Sequence, residues 1–189
     1  MKKAILLLSL SLCFAVSGAE PAPGVVNTIC PISGKEINPA ITTAYEGSTF
    51  AFHDEASKAK FEAARAASIY HQLGGRAALE AAVELFYVKV LADKRVNHFF
   101  EDISMEKQKR KQKEFLAAAL GGPLTFSGKD LRKAHEGLGI TAMHFDAIAE
   151  HLQATLEELK VDQKLIAQAM AVVGSTRDAV LNLPEPSKP

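Results

Sequence analysis

The chain has 189 residues, in which 22 lysines and arginines balance 22 aspartates and glutamates, and 48% of the residues are hydrophobic. Ordinary hydrophobic content with balanced charge excludes full intrinsic disorder, and zero net charge gives no general attraction to nucleic acid. Two cysteines can form at most one bridge, which excludes a disulfide-dense secreted scaffold. The length accommodates one ordinary domain, or one domain with a small additional module.

The first nineteen residues have the pattern of a secretory signal peptide. Two lysines follow Met1, residues 5–16 form a mostly apolar run, and small residues at 17–19 fit a cleavage site. The run is too short for a comfortable membrane span, so we predict cleavage after Ala19 and a periplasmic or secreted protein without stable membrane insertion. An uncleaved membrane anchor is the alternative interpretation.

Cleavage at this point would change the cysteine count. It would remove Cys13 and leave Cys30 as the single cysteine of the mature chain. One cysteine forms no internal disulfide, so packing must stabilise the exported protein. The thiol of Cys30 is then either buried and inert or used chemically.

Residues 25–67 are predicted to form a small first unit. Two short β-prone runs, 41–45 and 49–52, flank Glu46-Gly47-Ser48 and indicate a hairpin. Asp54 is placed to cap a helix over residues 55–67. Two strands and one helix are marginally stable alone, so we expect this unit to lean on the rest of the protein.

The first unit resembles the YHS metal-binding module. The matching segments are Cys30-Pro31, Gly34, Tyr45-Glu46-Gly47, Phe50-Ala51-Phe52 and Phe61. Cysteines usually follow the second strand in that family, but here they are replaced, which leaves Cys30 and His53 as plausible ligands. Because two ligands do not close a metal site, the unit is either a soft-metal module or a degenerate module kept for packing or partner contact.

Residues 68–183 are predicted to form a larger unit that is helical throughout. Gly74-Gly75 and Gly121-Gly122 interrupt the helical pattern, while Thr141 and Asp162 are placed to cap two later helices. An apolar stripe with helical spacing follows the first of these breaks and includes Tyr87. An inward tyrosine is either a core residue bonded to a backbone carbonyl or a hydroxyl that faces a ligand.

A helix predicted from Met105 to Leu120 carries Gln108 and Gln112 on an inner stripe that is otherwise apolar and includes Phe115. Buried amides require hydrogen-bond partners. Either this stripe faces a polar ligand, or the first turns of the helix are exposed to solvent.

His135 lies on a short apolar stripe that is followed by Gly137 and Gly139, where the missing Cβ atoms permit close approach of a flat group. A lone inward histidine is usually a satisfied core residue. Together with tyrosine and glutamine donors and phenylalanine walls, however, it meets the needs of haem, whose iron takes an axial imidazole. Tyrosine and glutamine donors would stabilise the partial negative charge of bound oxygen. Lys109 or Lys111 could meet a ligand carboxylate at the cavity opening.

Residues 68–183 resemble group 1 truncated haemoglobins over essentially the whole unit. The segments that carry the resemblance are 69–75, 86–93, Phe99-Phe100, 112–122, 135–140 and His144-Phe145. The resemblance implies a mainly α, two-over-two helical truncated globin, preceded here by the small β-hairpin and helix module. It also implies haem b, with its iron, as the cofactor.

The resemblance assigns roles residue by residue. His135 matches the proximal iron ligand, while Tyr87 and Gln112 match the distal groups that bond bound oxygen. Gln108 occupies a distal position that is often apolar in the family, where it could add a donor or act as a gate. The aromatic residues expected to contact the haem are Phe100, Phe115 and Phe145.

The implied ligands are oxygen, nitric oxide or another diatomic gas. Oxidation of nitric oxide would need a redox partner protein to return ferric iron to the ferrous state, so we assign no enzyme activity and no catalytic residue. The alternative is a haem-free globin-like scaffold whose first module binds a soft metal or docks a partner. The histidines at 71, 98 and 151 are predicted to lie at the surface.

Overall fold

A computed structural model describes residues 24–122 and 130–184, so the predicted signal peptide lies outside the described residues. Within the two described segments, no helix combines the length and apolar character needed to cross a membrane.

The first unit is a β-hairpin followed by one helix, as predicted. Strands β1 (Asn38–Tyr45) and β2 (Ser48–Phe52) pair antiparallel, and helix α1 spans Glu55–Ala66. Glu46 and Gly47 form the turn with φ values of 52° and 80°, which are typical of a tight two-residue hairpin. The carboxylate of Asp54 accepts a hydrogen bond from the backbone N–H of Ser57 at 2.7 Å, which confirms the predicted cap.

The core of the first unit is small and aromatic. Cys30, Phe52 and Phe61 are almost fully buried, with Tyr45 and Phe50 packed against them. The ring of Phe61 lies 5.1 Å, centroid to centroid, from both Phe50 and Phe52. So few buried side chains give the unit little stability of its own.

The second unit is helical in its described part. Its helices are α2 (Ile69–Gln72), α3 (Gly75–Ala92), α4 (Met105–Ala119), α5 (Leu131–His135), α6 (Ala142–Glu158), α7 (Gln163–Ser175) and α8 (Arg177–Val180). A short 3₁₀ turn, Asn97–Phe100, lies between α3 and α4. Helix α3 packs on α4, α6 packs on α7, and α3 also contacts α6. These two pairs form the expected two-over-two arrangement.

Polar residues define the helix starts at the positions that the sequence indicated. The carboxylate of Asp162 accepts from the backbone N–H of Lys164 at 2.9 Å. At the start of α6, the backbone N–H of Thr141 donates to Nδ1 of His144 at 3.1 Å. Each contact satisfies a backbone N–H at a helix N-terminus, where intrahelical acceptors are missing.

Candidate functional site

A cavity of about 830 Å³ lies among helices α3, α4, α5 and α6. Its size is within the usual range for small-molecule and cofactor sites. Every residue that the sequence placed at the site lines it: His135, Tyr87, Gln108, Gln112, Phe100, Phe115 and Phe145. The structure therefore brings together side chains from five separate elements, the 3₁₀ turn included.

Tyr87 provides a buried hydroxyl on the α3 side of this cavity. The side chain is only 2% exposed, and Phe86 and Phe100 pack edge-on against its ring. Burial raises the pKa of Tyr87, although the hydrogen bond from Gln108 opposes the shift. The hydroxyl is therefore protonated at neutral pH and can donate.

Gln108 is the partner of that hydroxyl. Its amide Nε2 donates to the Tyr87 oxygen at 3.1 Å, across the contact between α4 and α3. Because the Tyr87 oxygen accepts this hydrogen bond, the hydroxyl proton remains available for another acceptor. The first turns of α4 therefore face the cavity and are not simply solvated, and Gln108 rather than Gln112 contacts the tyrosine.

Gln112 and Phe115 continue the same face of α4. Both are half-buried and line the cavity one and two turns after Gln108. Each glutamine thus offers an amide to the cavity, but the two amides have different surroundings.

His135 ends helix α5 and lines the cavity. Its Nδ1 lies 2.7 Å from the backbone carbonyl of Leu131. Because a carbonyl oxygen only accepts, Nδ1 must carry the proton, and Nε2 of the neutral ring keeps its lone pair. A backbone contact at one imidazole nitrogen is the usual way to orient the other toward a metal.

His144 is a second histidine in the cavity wall, but its proton is on the other ring nitrogen. Its Nδ1 accepts the hydrogen bond from Thr141, so the neutral ring carries its proton on Nε2. Ligation through that nitrogen would require its deprotonation or loss of the contact at the start of α6. This difference favours His135 over His144 as a metal ligand.

Lys109 and Lys111, on the charged outer side of α4, were both candidates to meet a ligand carboxylate, but their surroundings differ. Lys109 and Lys113 both pair with Glu84 on α3, and their hydrogen bonds lower the pKa of that carboxyl. Lys111 is exposed and also lines the cavity. A side chain with both properties lies at the opening, so Lys111 is the one placed to meet a ligand carboxylate.

His151 is less exposed than the predicted surface position implies. The side chain is only 18% exposed, and its Nε2 lies 2.7 Å from Oδ2 of Asp93 at the end of α3. Hydrogen bonds from Arg95 and His151 also hold the pKa of Asp93 well below its usual range. The partners come from different elements, so no local sequence pattern could reveal the contact.

Cys30 is buried in the first unit, with 1% of its surface exposed. Burial alone would raise the pKa of this thiol, but hydrogen bonds from Ser33 and from the backbone N–H groups of Ile32, Ser33 and His53 lower it to about 6. Nδ1 of His53 lies 3.0 Å from the carbonyl oxygen of Glu36. Among the described residues, no group of three or more histidine, cysteine or acidic side chains is placed to hold a metal ion.

The cavity has the features that a haem requires. It combines apolar walls, one imidazole nitrogen with a free lone pair and a protonated tyrosine hydroxyl, and it opens to solvent beside Lys111. A two-over-two helical fold around such a cavity defines a truncated globin.

The comparison with known proteins gives the family. The profile of the family described as "Bacterial-like globin" matches residues 68–182, and the chain belongs to this family and to its group 1 truncated haemoglobins. A group 1 truncated haemoglobin of Tetrahymena thermophila is 48% identical over 110 residues, which cover 58% of this chain and 91% of the relative. The family match begins after the first unit.

Solved structures agree with the sequence relatives. The truncated haemoglobin of Tetrahymena pyriformis in its Fe(III) form is 48% identical, with a TM-score of 0.59 over 60% of this chain and 97% of the other. Three further forms of that protein carry one tyrosine-to-phenylalanine or one of two glutamine-to-glutamate substitutions. A 2/2 haemoglobin of Synechococcus sp. with covalently attached haem is 52% identical, with a TM-score of 0.59 over 61% and 99% of the two chains.

Proposed function

We propose that this protein binds oxygen reversibly at a haem iron that His135 would hold. The observation that carries the proposal is that one cavity is lined by an imidazole with an unprotonated Nε2 and by a tyrosine whose hydroxyl proton is free. A haem supplies an iron coordination position at which a diatomic ligand binds.

The distal residues favour oxygen among the diatomic gases. An oxygen ligand on ferrous iron carries more negative charge than carbon monoxide, so donors at the site stabilise it selectively. Tyr87 would donate its hydroxyl proton to the ligand while Gln108 holds the hydroxyl oxygen, and Gln112 would add a second donor. Nitric oxide would enter the same cavity but gain less from these donors.

The variants of the Tetrahymena pyriformis protein support this assignment. The tyrosine and the two glutamines altered there are separated along that chain by the same intervals as Tyr87, Gln108 and Gln112 here. Because oxygen binds ferrous iron, the proposal includes an electron-donor protein that reduces any ferric form.

The decisive experiment replaces each cavity histidine in turn. His135→Gly should abolish the Soret band of the purified protein, and added imidazole should restore it by occupying the vacated position. His144→Gln is the matched control and should retain the band, because its Nε2 is protonated. A wild-type protein that takes up no haem, or a His135→Gly protein with an unchanged spectrum, contradicts the proposal.

We also propose that the protein is exported. The support is the charged start, apolar run and small residues of positions 1–19. Expression in a bacterium followed by periplasmic extraction and mass spectrometry should yield a chain that starts at Glu20. Recovery of the full-length chain in the membrane fraction would favour the uncleaved anchor instead.

A further inference from the structure

The first unit contacts the globin at the end of helix α4. Nη1 of Arg65, in the last turn of α1, donates to the carbonyl oxygens of Gly121 and Gly122 at 3.0 and 2.7 Å. Carbonyl groups at a helix C-terminus lack intrahelical donors and carry partial negative charge. A guanidinium group is therefore a matched partner for this helix end.

A second contact joins the hairpin tip to the start of helix α3. The carboxylate of Glu46 lies 3.4 Å from Nε of Arg76, and the Glu46 carbonyl oxygen accepts from Nη2 of the same side chain at 3.3 Å. A Cβ atom built at Gly75 would lie only 2.7 Å from Oε1 of Glu46. The carboxylate thus approaches the positive end of the α3 dipole, where Gly74 has no side chain to act as a cap.

The module presents a cation, Arg65, at one contact and an anion, Glu46, at the other. The two contacts fall at the two double-glycine breaks of the globin. Glycine is needed for this approach at Gly75, where a Cβ atom would meet the Glu46 carboxylate. The guanidinium of Arg65 is itself held over the Phe61 ring at 4.9 Å, within the aromatic core of the first unit. The position of Arg65 therefore depends on the folded module.

The helices joined by these contacts are the ones that carry the distal donors. Tyr87 lies on α3 and Gln108 on α4, and their hydrogen bond links the C-terminal half of α3 to the first turns of α4. The module links the other ends of the same two helices. The separation of α3 and α4 is thus set at both ends of the distal wall.

We propose that residues 25–67 act as a clamp on the globin, in which Arg65 and Glu46 are positioning residues that fix α3 against α4 and thereby slow haem loss. The inference rests on the proposed haem binding. It assigns to this module a role in the haem pocket that needs no metal ligand of its own.

The test compares three variants of the mature chain. Arg65→Met removes the two hydrogen bonds to Gly121 and Gly122 but keeps an apolar stem over Phe61. Arg65→Lys retains the charge and should restore part of the effect. Lys58→Met is the matched control, because Lys58 lies on the same helix and pairs only weakly with Glu55, at 4.0 Å.

Three measurements separate a clamp from a merely stabilising contact. The first is the rate of haem transfer to an excess of apomyoglobin, and the second is the C–O stretching band of the carbon monoxide form, which senses the distal donors. The third is alkylation of Cys30 in the haem-free protein, which reports whether the module stays folded on the globin. Arg65→Met should accelerate haem loss and alkylation by at least about tenfold each, because it removes two charge-assisted hydrogen bonds and each corresponds to roughly that factor or more. It should also shift the C–O band.

The outcomes are distinct. Faster alkylation with unchanged haem loss and an unchanged C–O band would overturn the clamp, as would no change in any measurement. Faster haem loss with unchanged alkylation would support the clamp, because the Arg65 contact with the globin would then be lost while the module stays folded. A wild-type chain that binds no haem would instead refute the proposed function, while the alkylation measurement would still report docking.

Discussion

Gln108 donates from its side-chain amide to the hydroxyl of Tyr87 at 3.1 Å, and this contact joins α4 to α3 at the cavity wall. Since the tyrosine oxygen is occupied as an acceptor, its proton is left to point elsewhere in the cavity. The glutamine at an often apolar position thus orients the distal tyrosine, which makes the pair a unit rather than two separate donors.

Removing the tyrosine hydroxyl should speed the release of oxygen. Tyr87→Phe deletes one charge-assisted hydrogen bond, about 1.5–3 kcal/mol, so the dissociation rate should rise roughly ten- to a hundredfold. Stopped-flow displacement of oxygen by carbon monoxide measures this rate. Tyr45→Phe is a suitable control, because Tyr45 belongs to the first unit and does not line the cavity; an equal rise in both variants would refute the distal role.

The two glutamines should behave differently in double-mutant cycles. Gln108→Leu combined with Tyr87→Phe should change oxygen release by less than the sum of the single effects, because the glutamine acts through the tyrosine. Gln112→Leu combined with Tyr87→Phe should be close to additive, because no such contact joins this pair in the described residues. Additivity for Gln108 would show that it acts on the ligand directly.

The buried thiol should make stability depend on pH. The pKa of Cys30 is lowered from 9.0 to about 6 in the folded chain, so the unfolded chain binds the proton more tightly. The free energy of unfolding should therefore rise as the pH increases from about 6 to 9, and this contribution should be lost as the pH falls through 6. Urea unfolding of the haem-free chain of residues 20–189 at several pH values measures the slope.

Cys30→Ala provides the comparison for that slope. The variant lacks the titrating group, so its stability should change less between pH 6 and 9 than that of the wild type, whatever its absolute value. Parallel curves for the two proteins would show that the thiol is not ionised in the folded state.

Replacing either of two glycines by alanine should change the stability of the protein, but in opposite directions. A Cβ at Gly122 would lie 2.6 Å from the Ala117 carbonyl oxygen and 3.1 Å from the Tyr70 ring, so Gly122→Ala should destabilise the protein by about 1–3 kcal/mol. Gly174 lies within α7 with open space around it. Gly174→Ala should therefore stabilise the protein by about 0.5–1 kcal/mol. Thermal unfolding followed by circular dichroism distinguishes the signs.

Local patterns in the sequence were sufficient for much of this molecule. Apolar spacing predicted the long helices, Glu46-Gly47 predicted the hairpin, and Asp54 and Asp162 predicted their caps, because each signal depends on residues within a few positions of one another. The ordered match to truncated haemoglobins then named seven site residues, and all seven line the cavity.

Contacts between distant residues could be decided only by the tertiary structure. In the structure, Gln108 and not Gln112 bonds to Tyr87, and Lys109 and Lys111 have different surroundings. His151 contacts Asp93. Arg65 donates to the carbonyl oxygens of Gly121 and Gly122. Each depends on which faces of separate elements meet. Periodicity shows that a side chain points inward, but the packing of the elements determines what it finds there.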